Sequence, residues 1–300
     1  MSRVVFVNGE YLPYEKSKVH IEDRGYQFAD GVYEVFAVIE NKLADYDAHM
    51  SRLLRSLSEL NMKLPYSRKS IFFHISNIAK QNLISNGLVY LQISRGVASR
   101  DFKFPNNTKS SLVIIAKNTS LDQYTESFDK GISVSTTRDL RWKRVDIKSL
   151  NLLAPVLAKQ SAYEKNCQES WLIDDDNFIT EGSSSNAWIY QDGTLITRPV
   201  SNSILNGITR STLIRGLKKR KIKYKESKFN LEDVKKSSEA FITSATQHVM
   251  PVVRVNNIKI GKGVPGPRAL DFRAAYMAVS YTHLRAHETK ANLVCRLLLE

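Results

Sequence analysis

Asp146-Ile147-Lys148-Ser149-Leu150-Asn151-Leu152 is followed about thirty residues later by Thr180-Glu181-Gly182-Ser183-Ser184-Ser185-Asn186. Two shorter stretches come after them, Asn206-Gly207-Ile208-Thr209-Arg210 and Thr243-Ser244-Ala245-Thr246. Each has an ordinary reading when taken alone. A lysine in a polar segment is most often a solvated surface charge. Glu-Gly-Ser-Ser-Ser-Asn passes for a loop, and Gly207 to Ser211 for a helix start with a threonine cap.

Outward from these motifs the chain switches repeatedly between the two side-chain periods. Short apolar runs predict strands over 4–7, 88–94, 112–117, 132–137 and 171–174, and later over 222–224, 240–243 and 252–255. Asn8-Gly9 predicts a tight turn into Glu10, and Asp192-Gly193 a hairpin between 187–190 and 194–197. Met50, Leu53, Leu54, Leu57 and Leu60 recur at helical spacing behind Asp47, the expected N-cap. Ile71, Ile75, Ile78 and Leu83 predict a second helix that stops near Gly87. Further helices are expected over 152–165 and 209–219. Strands and helices interleave without a regular βαβ period, which argues for an α/β fold of the mixed α+β kind, with mixed rather than doubly wound sheets.

The expected organisation is an N-terminal α/β domain over 1–118 and a polar linker with little periodicity over 119–130. A second domain follows over 131–280. Residues 281–300 change character and look like translated cloning adaptor, so they are expected to lie outside the fold and to be dispensable. His283 and His287 in this tail stand at helical ligand spacing, but a pair without a third ligand is a weak metal signal, and no metal site is expected.

The hydrophobic share of 42% and charged share of 25% are those of a globular protein. No apolar run is long enough for a membrane span, and MSRVVFVNGEYLPYEKS lacks the apolar centre of a signal peptide. The cysteines, Cys167 and Cys295, give neither a disulfide framework nor paired metal-ligand spacing, which suits a reducing cytoplasm. The net charge of +14 raises a different class, a basic protein that binds nucleic acid or another anion without catalysis. Its densest basic stretch, Lys218-Lys219-Arg220-Lys221, closes an expected helix, where cations suit the dipole. No aromatic interleaving or zinc pattern accompanies it.

Taken together, the four motifs supply the parts that a carbonyl cofactor needs. One lysine can form an imine, and one acid can sit by a pyridine nitrogen. Phosphate is served by backbone N–H groups at a helix start or a small-residue turn, plus an arginine. In this order and spacing the motifs resemble fold-type IV pyridoxal-phosphate enzymes, most closely those of the D-amino-acid aminotransferase type, from about Val5 to Tyr276.

The resemblance implies a role for each of several residues. Lys148 holds pyridoxal 5'-phosphate covalently and later moves the proton at the substrate Cα. Glu181 keeps the ring nitrogen protonated, and Leu205 packs against the ring. Arg52 binds the phosphate together with Ile208, Thr209 and the Ser244–Ala245 turn. Tyr33 and Arg100 hold the substrate α-carboxylate. It also implies two α/β domains with the cofactor between them, a homodimer that completes the site, and a ping-pong transfer from a D-amino acid to a 2-oxo acid.

Two positions depart from the family pattern. Phe102 stands where Arg-Asp-His or Arg-Asn-His has its histidine, and Ala245 where a threonine is frequent. A branched-chain L-aminotransferase usually carries a glycine-containing EGSGxN-like loop, which is not seen here. An aminodeoxychorismate lyase shares the lysine pattern, but the Tyr33 and Arg100 pair favours the D-enzyme.

Overall fold

The computed structural model describes residues 3–119 and 122–277. The tail from Tyr281, with Cys295 and the His283–His287 pair, lies outside them. The chain forms two compact units. The first contains residues 3–119 and Ile147–Asn151, the second 122–146 and 152–277.

The first unit is built on strands β1 (Val4–Val7), β2 (Glu10–Pro13), β3 (Gly31–Ile39), β4 (Lys42–Leu43), β5 (Gly87–Ser94) and β6 (Ser111–Asn118). They form one six-stranded sheet in the order β2-β1-β6-β5-β3-β4, and every pairing is antiparallel. Alternation assigns the faces. Val89, Leu91 and Ile93 of β5 and Leu112, Ile114 and Ala116 of β6 are buried, while Tyr90 and Gln92 point the other way. The short helix α1 (Arg24–Phe28) precedes β3. Helices α2 (Tyr46–Glu59) and α3 (Arg68–Gln81) lay Met50, Leu53, Leu57, Ile71, Ile75 and Ile78 on the apolar face.

Two expectations shift here. Asp45, in left-handed conformation, is the N-cap of α2, and Asp47 lies in the first turn, where its charge suits the helix dipole. Leu83 falls outside α3 at φ 55° and is 78% exposed, so it belongs to the turn and not to the apolar stripe.

The second unit is a mixed sheet. Its elements are α4 (Asp122–Lys130), β7 (Ile132–Arg138), α5 (Leu153–Glu164), β8 (Glu169–Ile173), β9 (Ile179–Gly182), β10 (Asn186–Gln191), β11 (Thr194–Thr197) and α6 (Ile208–Lys219). Then come β12 (Tyr224–Glu226), α7 (Leu231–Lys236), β13 (Glu239–Ser244), β14 (His248–Val255) and β15 (Ile258–Lys259). The strand order is β12-β11-β10-β13-β14-β7-β8-β9, with β15 on β14, nine strands in all. Central strands are apolar on both faces because both are covered. Ala187, Ile189, Ala240 and Ile242 enter one core, while Trp188 and Phe241 stack at 5.6 Å in another with Leu213 and Leu217 of α6. The β10–β11 hairpin turns on Asp192 and Gly193 at φ 49° and 74°, the left-handed pair that such a turn requires.

The expected linker over 119–130 contains α4. Its composition is polar, yet Phe128 packs against the second unit's core. The strand expected over 222–224 lies at Tyr224–Glu226, paired in parallel with β11. Residues 147–151 group with the first unit and not with the sequence around them. Among the described residues no helix is long and apolar enough to cross a membrane, and no cluster of His, Cys, Asp or Glu could hold a metal ion.

Candidate active site

Lys148 is fixed by its backbone before its side chain matters. Its carbonyl accepts from the Tyr33 N–H at 3.0 Å, and the Leu150 N–H donates to the Gly31 carbonyl at 3.0 Å. Ser149 bridges to Val32, so 148–150 adds a short rung to the free edge at the start of β3. The Lys148 N–H donates to Ser56 Oγ of α2 at 3.2 Å, and buried Ile147 anchors the segment in the core. The Lys148 amine then lies 4.1 Å from the centroid of the Tyr33 ring. Among the described residues it makes no hydrogen bond or ion pair, an arrangement suited to a nucleophile.

Tyr33 lies on the β3 face opposite Glu34, beside Tyr90 at 5.6 Å between ring centroids. Glu34 is fully buried on the other face, between Arg52 and His49. Arg52 donates through Nε and Nη2 at 2.7 Å each, and His49 Nδ1 lies 2.8 Å away. Burial alone would raise the Glu34 pKa, but the Arg52 guanidinium and then the His49 ring hold it well below the usual carboxylate range. The expected phosphate arginine is therefore oriented by a bidentate carboxylate.

Arg100 is placed differently. It is exposed and its guanidinium stacks on Phe28 at 4.7 Å, while Arg24 stacks on the same ring at 4.6 Å. Phe102 packs edge-on against Phe28 at 5.6 Å and is 84% exposed, so it does not point into the core. Buried Arg24 holds this loop by donating to the Asp101 carbonyl at 2.6 Å and to Asp30 at 2.8 Å. Tyr33 and Arg100 are thus not brought together within the described chain.

In the second unit, Glu181 stands at the buried end of β9. Arg141 Nη1 donates to its Oε1, Asn186 Nδ2 donates to Oε2 at 2.8 Å, and the Leu205 N–H reaches both oxygens at 3.1 Å. Asn186 also donates to the Leu205 carbonyl at 2.9 Å, which fixes Leu205 next to the carboxylate. Burial raises the Glu181 pKa, and the opposing Arg141 charge does not cancel that. The three serines that follow donate to buried Glu169, Ser184 at 3.1 Å and Ser185 at 3.0 Å, with Ser183 also bonded. A polar run thereby forms a strand end and a turn with its donors satisfied.

Helix α6 starts at Gly207, and no side chain caps its first amides; Ile208 and Thr209 of its first turn are buried. A Cβ on Gly207 would stand 2.1 Å from Asn186 Oδ1, so the helix start requires glycine to lie this close to β10. After β13, Ser244 Oγ accepts from the Gln247 N–H at 3.1 Å and closes the turn that holds Ala245.

Residues 31–255 match the family described as amino-transferase class IV. The chain is 39% identical over 264 residues to a D-alanine aminotransferase of Staphylococcus haemolyticus, covering 88% of this chain and 93% of that one. It is equally identical, over 264 residues, to a D-alanine aminotransferase of Listeria monocytogenes, covering 88% and 91%. The chain belongs to the class IV aminotransferases. A branched-chain amino acid aminotransferase of T.th., solved with pyridoxamine 5'-phosphate, shares the fold at TM-score 0.87 and 23% identity, covering 93% and 95%. That of Escherichia coli does so at 0.83 and 22%, with the same coverage.

A class IV aminotransferase works with pyridoxal 5'-phosphate. Each unit carries groups whose chemistry suits the cofactor: the first has the Lys148 amine, without an ion pair among the described residues, and the second a buried carboxylate at Glu181 and α6 amides without a side-chain cap. The sequence reading missed Arg141, Asp139, Glu169 and Glu34. Asp139 and Arg141 pair locally, but their contacts with Thr180 and Glu181, and those of Glu169 with Ser183 to Ser185 and of Glu34 with His49 and Arg52, join residues well separated in sequence.

Proposed function

We propose that this aminotransferase moves the amino group of a D-amino acid, such as D-alanine or D-glutamate, to a 2-oxo acid, such as 2-oxoglutarate or pyruvate, in alternating half-reactions. The reading is carried by Lys148, whose amine lies beside an aromatic face and makes no ion pair among the described residues. The choice of the D-series is supported by the D-alanine aminotransferases that it matches over most of its length.

Pyridoxal phosphate, when bound, supplies a sink for the electron pair left at the substrate Cα. The chain's own residues do the rest in this reading. Lys148 would hold the cofactor and move the proton between the substrate Cα and the cofactor C4′, a task that needs a free base within reach. Glu181 keeps a proton on the ring nitrogen, because a neighbouring carboxylate favours the charged form. The α6 amides, the Thr209 hydroxyl, the Ser244–Ala245 turn and Arg52 hold the phosphate. Leu205, tied to both Glu181 and Asn186, limits the ring's freedom.

Tyr33 and Arg100 take the substrate carboxylate, and we assign the completed site to a homodimer. Exposed Ile21, Tyr26 and Phe102 support a covered face there, since the segments that carry them are joined by the Asp23–Val97 bridge. A cytoplasmic setting fits the free, buried Cys167.

The test is a panel of D- and L-amino acids with 2-oxoglutarate as acceptor. Turnover with D-alanine and D-glutamate well above that with L-leucine or L-valine is expected. Preference for the branched L-substrates would overturn the reading.

A further inference from the structure

The cluster around Glu181 holds more charge than its role as a ring partner needs. Arg141 lies between two carboxylates. Its Nε and Nη2 grip Asp139 at 2.9 and 2.7 Å, and its Nη1 bonds Glu181. Nη2 also donates to the Ser203 carbonyl at 3.1 Å, and Thr180 Oγ1 donates to Asp139 at 2.8 Å. The three charged side chains are 8%, 12% and 6% exposed for Arg141, Asp139 and Glu181. Among the described residues neither carboxylate pairs with a second cation.

The charge count is what matters. A buried Arg141–Glu181 pair alone would be neutral and would offer nothing to a further cation. Asp139 takes the bidentate face of the arginine, so two carboxylates share one guanidinium and the cluster is left with one net negative charge. That charge resides at Glu181, whose bond to the arginine is through one nitrogen only.

We propose that Asp139 and Arg141 are positioning residues that set the charge Glu181 offers to the ring nitrogen. Arg141 favours the ionised form of Glu181 against the burial that opposes it, and Asp139 cancels enough of the arginine's charge that Glu181 still attracts a proton-bearing nitrogen. This rests on the transaminase reading above and names a control that the reading does not contain. The titration tendencies agree with it. Burial raises both carboxyls, yet the paired Arg141 pulls Asp139 below its ordinary range, whereas burial keeps Glu181 above it.

The variants Asp139→Asn, Arg141→Lys and Arg141→Met test the proposal, with urea midpoints confirming that each is folded. In the apoprotein, carboxyl 13C resonances assigned with Glu181→Gln report the Glu181 titration. In the holoenzyme, 15N-labelled pyridoxal phosphate reports the ring-nitrogen proton. Asp139→Asn should lower the Glu181 pKa and move ring-nitrogen deprotonation down by about one pH unit, tenfold in the proton dissociation constant. It should lower kcat while leaving KM for D-alanine alone. Arg141→Met should raise the Glu181 pKa, and Arg141→Lys should restore most of the wild-type value. If Arg141→Met does not fold, the isosteric Asp139→Asn and the charge-keeping Arg141→Lys still decide.

Wild-type titration of Glu181 and of the ring nitrogen in folded Asp139→Asn overturns the proposal and makes the cluster a structural tie. A wild-type protein that binds pyridoxal phosphate but turns over no amino acid would instead sink the transaminase reading, with the apoprotein titrations unaffected.

Discussion

Gly207→Ala is the smallest change that reaches the proposed chemistry without touching a charged group. Gly207 has φ −63°, which alanine adopts freely, so any effect must be steric. The added Cβ would stand 2.1 Å from Asn186 Oδ1, about an ångström inside the closest approach real side chains show. Asn186 is buried and donates to Glu181 and to the Leu205 carbonyl. A displacement of that size breaks both bonds. A bond to a charged acceptor contributes about 1.5–3 kcal/mol and one to a carbonyl about 0.5–1.5 kcal/mol. The variant should therefore be destabilised by about 2–4.5 kcal/mol and bind pyridoxal phosphate more weakly.

Urea unfolding monitored by intrinsic tryptophan fluorescence gives the first quantity, and a cofactor absorbance titration the second. The decisive form is a cycle with Asn186→Ala, which removes the atom that clashes. In that background Gly207→Ala should cost little, so the two changes should be strongly non-additive. Additive losses, or a Gly207→Ala protein with wild-type stability and cofactor affinity, would refute the close approach.

Two further outcomes follow from the first unit. Glu34 has its folded pKa held below the ordinary 4.5, so its stabilisation is complete above that value and is lost as pH falls toward the folded pKa. Glu34→Gln leaves Arg52 and His49 without their carboxylate and should cost about 3–5 kcal/mol at pH 7. Urea midpoints should show this gap narrowing from pH 5 toward pH 2, and a gap constant with pH would rule the pairing out. Phe102→His should barely change stability, since the side chain is exposed, but should add a donor beside Arg100. The Michaelis constant for D-glutamate should fall by about tenfold, the equivalent of about 1.4 kcal/mol, with kcat unchanged. An unmoved constant would place the substrate carboxylate elsewhere.

Much of the fold was legible because its signals are local. The hairpin at Asp192-Gly193, the apolar stripes of α2 and α3, and alternation in β5 and β6 are each written within a dozen residues. What escaped depends on distant partners. Strand β9 reads as loop because Thr180 and Glu181 are polar; they are tolerated in a buried strand only because Asp139, Arg141 and Asn186 satisfy them. Likewise α4 reads as linker because its composition is polar, and its packing through Phe128 depends on a core formed by distant strands. The grouping of 147–151 with the first unit depends on bonds to Gly31, Tyr33 and Ser56, more than ninety residues earlier. Lys148 and Glu181 were singled out by their motifs. The environment that gives each its chemistry was not in those motifs: the ring of Tyr33 for one, the shared arginine for the other.

The most direct test of the account is to find where the cofactor is attached. The protein loaded with pyridoxal phosphate is reduced with borohydride, digested, and its peptides are mapped by mass spectrometry. One phosphopyridoxyl adduct is expected, on the peptide that contains Lys148, and none there in Lys148→Ala, which should also lose turnover of D-alanine. A stoichiometric adduct on another lysine, or full turnover in Lys148→Ala, would contradict it.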